Sequence, residues 1–165
     1  VNYNPVSGGL PFLLNQQDVQ FLFTLQPIRQ LTDDNTYLLD RDFAAHGGQF
    51  VYESQTFRTK LNYQFTRAIS ARVIVEYDST LANSVETSIP RKKQVGTQAL
   101  LTWLPHPGTA VYIGYNNDLQ NLDRTLCNRL QNGACDPSNT IVPRSSNYLN
   151  DGRQVFVKAS YLFRF

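Results

Sequence analysis

Few residues of this 165-residue chain have types and spacing that suggest chemistry: two histidines, two cysteines and some short charged or amide-rich runs. His46 lies in "AAHGGQ" and His106 in "LPHPG". A Ser-His-Asp triad or a zinc site needs its His beside a nucleophile or further ligands, and no nucleophile elbow or paired ligand motif accompanies either one. Both read as solvated loop residues, so no catalytic residue, metal or cofactor is expected. Cys127 and Cys135, in "LCNRLQNGACDPSN", have seven residues between them and no neighbouring His to complete a zinc site. That spacing suits a local disulfide in an oxidising compartment better than two free thiols.

Two further runs each have a functional and a plainer reading. "NNDLQNLD" gathers Asn116, Asn117, Asp118, Asn121 and Asp123, oxygen donors of the kind that hold calcium or sugar hydroxyls, or else Asx-type turn chemistry. Arg91, Lys92 and Lys93 in "IPRKKQ" suit lipopolysaccharide phosphates, or else a solvated loop.

The elements that must position these residues are strands. Tyr and Phe number 9 and 10 against a single Trp, and Thr, Asn and Gln are plentiful between short apolar alternations. A net charge of +2 is too slight to imply a nucleic-acid partner. No run approaches the roughly 18 apolar residues of a membrane helix, a limit that does not apply to barrel strands.

Period-two alternation predicts seven strands, over residues 18–26, 31–40, 55–66, 70–80, 95–104, 109–117 and 153–165. In each, the odd-numbered face is the more apolar. "ARVIVEYD" sets Ala71, Val73, Val75 and Tyr77 against Arg72, Ile74, Glu76 and Asp78, and "VFVKASYLFRF" sets Val155, Val157, Ala159, Tyr161, Phe163 and Phe165 against Phe156, Lys158, Ser160, Leu162 and Arg164. The second strand is the weakest, because Asp33 and Asn35 interrupt its odd face.

Tight turns at "PIR", "RAI" and "PHPG" should alternate with long loops over 41–54, 81–94 and 118–152, all turns at one end and all loops at the other. Tyr37, Tyr77 and Tyr115 would lie near the loop end, and Phe65, Trp103 and Phe165 near the turn end, as two aromatic belts. The even face carries Arg58, Lys60, Arg72, Glu76, Asp78, Lys158 and Arg164, which a wet lumen accepts and a dry core does not. The expected fold is therefore all-β, an antiparallel up-and-down transmembrane β-barrel, with odd residues to lipid and even residues inward. A soluble secreted barrel or sandwich binding an apolar ligand is the alternative.

The ending at Tyr161, Phe163 and Phe165 resembles the terminal assembly signal of bacterial outer-membrane proteins. Together, "LNYQFTRAISARVIVEYDS", "PGTAVYIGYNNDLQN" and "NDGRQVFVKASYLFRF" resemble the C-terminal β-barrel region of a family of uncharacterised bacterial outer-membrane proteins that carry an N-terminal carbohydrate-binding family 9-like module. The resemblance implies residues 1–17 as an external loop or linker, 18–165 as the C-terminal part of a larger barrel, a place in the outer membrane, and delivery by the barrel-assembly machinery. It also implies a role as anchor or conduit linked to carbohydrate binding or uptake. The chain begins at Val1 without a basic and then apolar leader, and its strand number is odd. The remaining barrel strands are expected from a longer precursor or a second chain.

One expectation is sharp enough to fail. If Thr66 faces Ser70 across the turn at residues 67–69, then Arg58 lies opposite Asp78, Lys60 opposite Glu76 and Gln64 beside Arg72, as charge pairs on the interior face.

Overall fold

The computed structural model describes residues 9–121, 132, 134 and 148–162. All seven expected strands form, in one antiparallel sheet whose spatial order is the chain order: β1 (Leu14–Ile28), β2 (Leu31–Ala44), β3 (Phe50–Gln64), β4 (Ile69–Ala82), β5 (Lys92–His106), β6 (Thr109–Gln120) and β7 (Leu149–Tyr161). No helix is among these elements, and β7 does not pair with β1, so the sheet is open.

Most strands are longer than alternation indicates, because polar residues such as Arg41, Glu53 and Lys93 enter the odd face near their ends and period two fades there. β1 takes in residues 14–17, and β2 and β3 continue until residues 45–49 alone connect them. The long loop expected over 41–54 is therefore a hairpin end. Gly47 and Gly48, with φ of 88° and 63°, supply the left-handed backbone that closes it, and the Ala44 amide donates to the Gln49 carbonyl at 2.8 Å. Connections at the other end are shorter still: 29–30, 65–68 and 107–108, the last turning on Gly108 with φ of 87°.

Pairing keeps parity across the whole sheet. Odd residues face odd residues on every ladder, apart from the shifts where a strand meets its connection, such as Ile28↔Leu31, Phe43↔Phe50, His106↔Thr109 and Leu119↔Asn150. A slip of one residue at any ladder would turn a strand's apolar set to the other face, so preserved parity is what makes two coherent faces from seven alternations.

The odd face holds apolar rows with a largely polar one between them, which runs Phe23, Asn35, Thr59, Val75, Thr97 and Asn117. Leu31, Tyr63, Ala71, Leu101, Ile113 and Val157 follow one another strand to strand, as do Phe21, Tyr37, Phe57, Tyr77, Val95 and Leu119. Phe21 stacks on Tyr37 with ring centroids 6.5 Å apart, and Tyr63 meets Phe65 edge to face at 4.7 Å. Trp103 pairs with Ile69 and Val111 in the row nearest the short turns. Tyr115, expected level with Tyr37 and Tyr77, instead pairs with Ala99 and Val155, closer to the turn end along the ladder.

Candidate functional site: the polar sheet face

The even face brings the polar and charged side chains together. One row runs Thr24, Asp34, Lys60, Ile74, Gln98, Asn116 and Gln154; the next toward the loops runs Leu22, Thr36, Arg58, Glu76, Gly96 and Asp118. Side chains directly opposite on antiparallel strands lie close enough to hydrogen-bond, so these rows become linked sets. The Thr24 hydroxyl donates to Asp34 at 2.8 Å and Lys60 Nζ sits 2.9 Å from the other Asp34 oxygen. Arg58 Nε lies 3.4 Å from Glu76 Oε2, Thr56 donates to Asp78 at 2.7 Å, and Gln94 Nε2 donates to Asp118 at 2.8 Å.

The sequence expectation for the charge pairs is corrected here. Arg58 faces Glu76 rather than Asp78, Lys60 faces Ile74 rather than Glu76, and Arg72 faces Asn62 rather than Gln64. Lys60 finds its carboxylate on the other flank, at Asp34 of β2. The cause is local to the turn. Thr66 is not the last strand residue but lies inside the 65–68 connection, where its hydroxyl oxygen accepts the amides of Ala68 at 3.2 Å and Ile69 at 3.1 Å. That Ser/Thr-type turn moves the hairpin one residue toward the N-terminus, so Gln64 rather than Thr66 faces Ser70. A one-residue shift at both arms moves every cross-strand partner by two, which leaves the faces intact and changes all the pairs.

Hollows in the even face are polar. One of about 430 Å³ is lined by Arg29, Thr32, Asn62, Gln64, Ser70 and Arg72 among others. A second of about 200 Å³ lies between Arg72, Gln98, Asn116, Gln154 and Phe156. At its edge Phe156 lies flat on Gly114, where a Cβ would stand 2.1 Å from the ring. Only glycine admits the ring in that position, and the contact locks β6 to β7 in register.

The remaining residues of interest are dispersed. His46 is exposed in the 45–49 connection and His106 is exposed at the opposite end of the sheet. Asn116 and Asp118 belong to the even face and Asn117 to the odd, where it accepts a hydrogen bond from Asn150 Nδ2. Among the described residues no group of three or more His, Cys, Asp or Glu side chains is arranged to hold a metal. The basic run also splits: Arg91 Nε donates to the Ala82 carbonyl at 2.6 Å, Lys92 is exposed on one face and Lys93, 1% exposed, is buried on the other. Burial pushes the Arg91 guanidinium below its ordinary pKa. Cys127, Cys135, Asp123, Phe163, Arg164 and Phe165 lie outside the described residues, and of the terminal aromatic set Tyr161 is seen, exposed and paired with Thr109.

Sequence reasoning missed a polar cap on the odd face. Above Tyr37 and Tyr77, Arg41 pairs with Glu53, Gln55 donates to the same carboxylate, and Lys93 lies in register with Ser79. Its signal was present in "VYES", which alternation assigns to a loop because it starts beyond the last clear apolar repeat. At the border of that cap burial raises the pKa of the Tyr148 hydroxyl, and its neighbour Tyr77 adds to the effect.

Compared with protein-family models, curated proteins and solved structures, the chain matches none.

Proposed function

We propose that the sheet is part of the wall of a transmembrane β-barrel in a bacterial outer membrane, acting as anchor or conduit, with its odd face toward lipid and its even face toward a wet interior. The observation that carries this reading is a single layer with two opposite faces. Phe57, Leu61, Leu101, Trp103 and Ile113 stay exposed on one face of interior strands, while Arg58, Glu76, Asp34 and Lys60 pair on the other. In water these exposed apolar side chains require cover, and lipid supplies it without a second protein layer. The soluble alternative needs a second layer or a ligand over that same face.

Strand lengths favour the membrane reading too, because 12 to 15 residues exceed the usual globular strand and cover the roughly 9–11 needed by a tilted strand in a bilayer. Unequal connections add support, short at 29–30, 65–68 and 107–108 and longer at 83–91 and 121–148. On the resemblance of its sequence, the chain would be delivered by the barrel-assembly machinery reading Tyr161, Phe163 and Phe165, and would serve carbohydrate binding or uptake. A Cys127–Cys135 bridge would close the outer loop.

Partitioning tests the reading. Cells expressing the protein should hold it in the outer-membrane fraction, extractable by detergent and not by alkaline carbonate. Release into the aqueous fraction, with the protein monodisperse without detergent, would favour the soluble alternative.

A further inference from the structure

We infer that the hollow lined by Arg29 and Arg72 on the even face is a binding site for a polyhydroxylated oxyanion, a sugar acid or polyol phosphate, with the guanidinium groups on its carboxylate or phosphate and neutral side chains on its hydroxyls. The inference rests on the reading above that the even face meets water.

Arg72 differs from the other cations of this face. Lys60 is held by Asp34, and Arg58 lies beside Glu76. Arg72 has Asn62 and Leu100 as cross-strand partners, and its row, from Thr32 through Gly114 to Phe156, contains no carboxylate. The next row toward the short turns, Gln64, Ser70, Thr102, Tyr112 and Lys158, contains none either. In the row on the other side the one carboxylate is Asp34, already engaged by Lys60 and Thr24. Among the described residues neither Arg72 nor Arg29 makes an ion pair. Carboxylates of the even face collect instead toward the long connections, at Asp18, Asp40, Asp42, Asp78 and Asp118. An anion is therefore attracted to the turn end of this face and repelled from the loop end.

The walls of the hollow say what else such an anion carries. At about 430 Å³ it falls within the roughly 300–1,000 Å³ of small-molecule sites, so a bare inorganic anion would leave most of it to water. Thr32, Asn62, Ser70 and Thr102 line it, and among the described residues their side chains make no hydrogen bond. The Gln64 amide nitrogen is spent on the Thr66 and Ile69 carbonyls, which leaves its Oε1 as an acceptor. Hydroxyls and amides that can both donate and accept match ligand hydroxyls, whereas an apolar ligand would strand them. Arg72 also lines the adjoining hollow with Gln98, Asn116 and Gln154, so its guanidinium stands at the centre of one polar groove. Its paired N–H groups fit two oxygens of a carboxylate or phosphate at once.

Protection from thiol labelling tests this with the whole polypeptide in lipid vesicles, a Cys127→Ser, Cys135→Ser background and Thr102→Cys at the wall of the hollow. A hydrophilic maleimide should label the Thr102→Cys variant, and glucuronate or glycerol phosphate should slow that labelling at a concentration about tenfold lower than glucose or inorganic phosphate requires. Adding Arg72→Gln should abolish the preference while leaving labelling without ligand unchanged, and Arg29→Gln, in a turn outside the strands, should weaken it. Equal protection by inorganic phosphate would reduce the hollow to a general anion patch, equal protection by glucose or a preference that survives Arg72→Gln would make the arginines irrelevant, and no protection would remove the site. Each of these overturns the inference and leaves the membrane-wall reading standing. A Thr102→Cys variant that resists the maleimide would instead show a dry even face, and the membrane-wall reading would fall together with the inference.

Discussion

Along β4, successive residues live in different surroundings. Ala71, Val73 and Tyr77 sit between apolar partners on β3 and β5 and Val75 sits between Thr59 and Thr97, whereas Arg72 borders Asn62, Glu76 meets Arg58 and Asp78 accepts from Thr56. One strand thus presents two different surfaces at a spacing of a single residue. The difference is that the apolar rows of the odd face are defined by composition, their side chains interchangeable among apolar types, with particular partners where polar residues enter, as at Thr59 with Asp33 and Arg41 with Glu53. The even face is defined by particular partners, and moving a register by two residues exchanges every one of them.

Substitutions should separate the two faces by size of effect. A charge at Val75 or Ile113 should cost about 2–4 kcal/mol if those positions lie near the bilayer midplane, while Thr102→Arg on the even face should cost about 1 kcal/mol or less. Reversible urea unfolding from lipid vesicles reads both, and equal costs would erase the distinction between the faces.

Gly114→Ala should come next. Its new Cβ would stand 2.1 Å from the Phe156 ring, so the ring must swing away, at about 1–3 kcal/mol for a strained contact. Adding Phe156→Ala should remove most of that penalty, and a double variant no more stable than Gly114→Ala alone would show that the ring contact is not its source.

Thr66→Ala removes the acceptor of two turn amides and should cost about 0.5–1.5 kcal/mol in the same unfolding assay. Smallest of all, Lys60→Ala or Glu76→Ala should cost under about 1 kcal/mol and lose that effect in high salt, because both ion pairs are partly exposed. A charge pair worth several kcal/mol would mean a far drier interior than an open polar face allows.

Seven strands, their order and the parity of their faces were legible in the sequence, since period-two alternation reports which side each residue takes. The pairs were not. Lys60 had carboxylates within reach on both neighbouring strands, Glu76 by one register and Asp34 by another, and alternation cannot choose between registers two residues apart. That choice lay with the Thr66 hydroxyl, a single acceptor in a turn whose residue types permit either placement. The strand ends failed for a related reason: Arg41, Glu53 and Lys93 are strand residues whose polarity on the odd face gives no period to follow.

Depth and solvent on the two faces can be read directly with spin labels on the protein in lipid vesicles. Labels at Val75, Leu101 and Ile113 should be relaxed by oxygen and shielded from a water-soluble nickel complex, while labels at Arg72, Gln98 and Thr102 should respond to the nickel complex. Nickel access at Val75, Leu101 and Ile113, or oxygen-only access at Arg72 and Gln98, would contradict the assignment of lipid to the odd face and water to the even one.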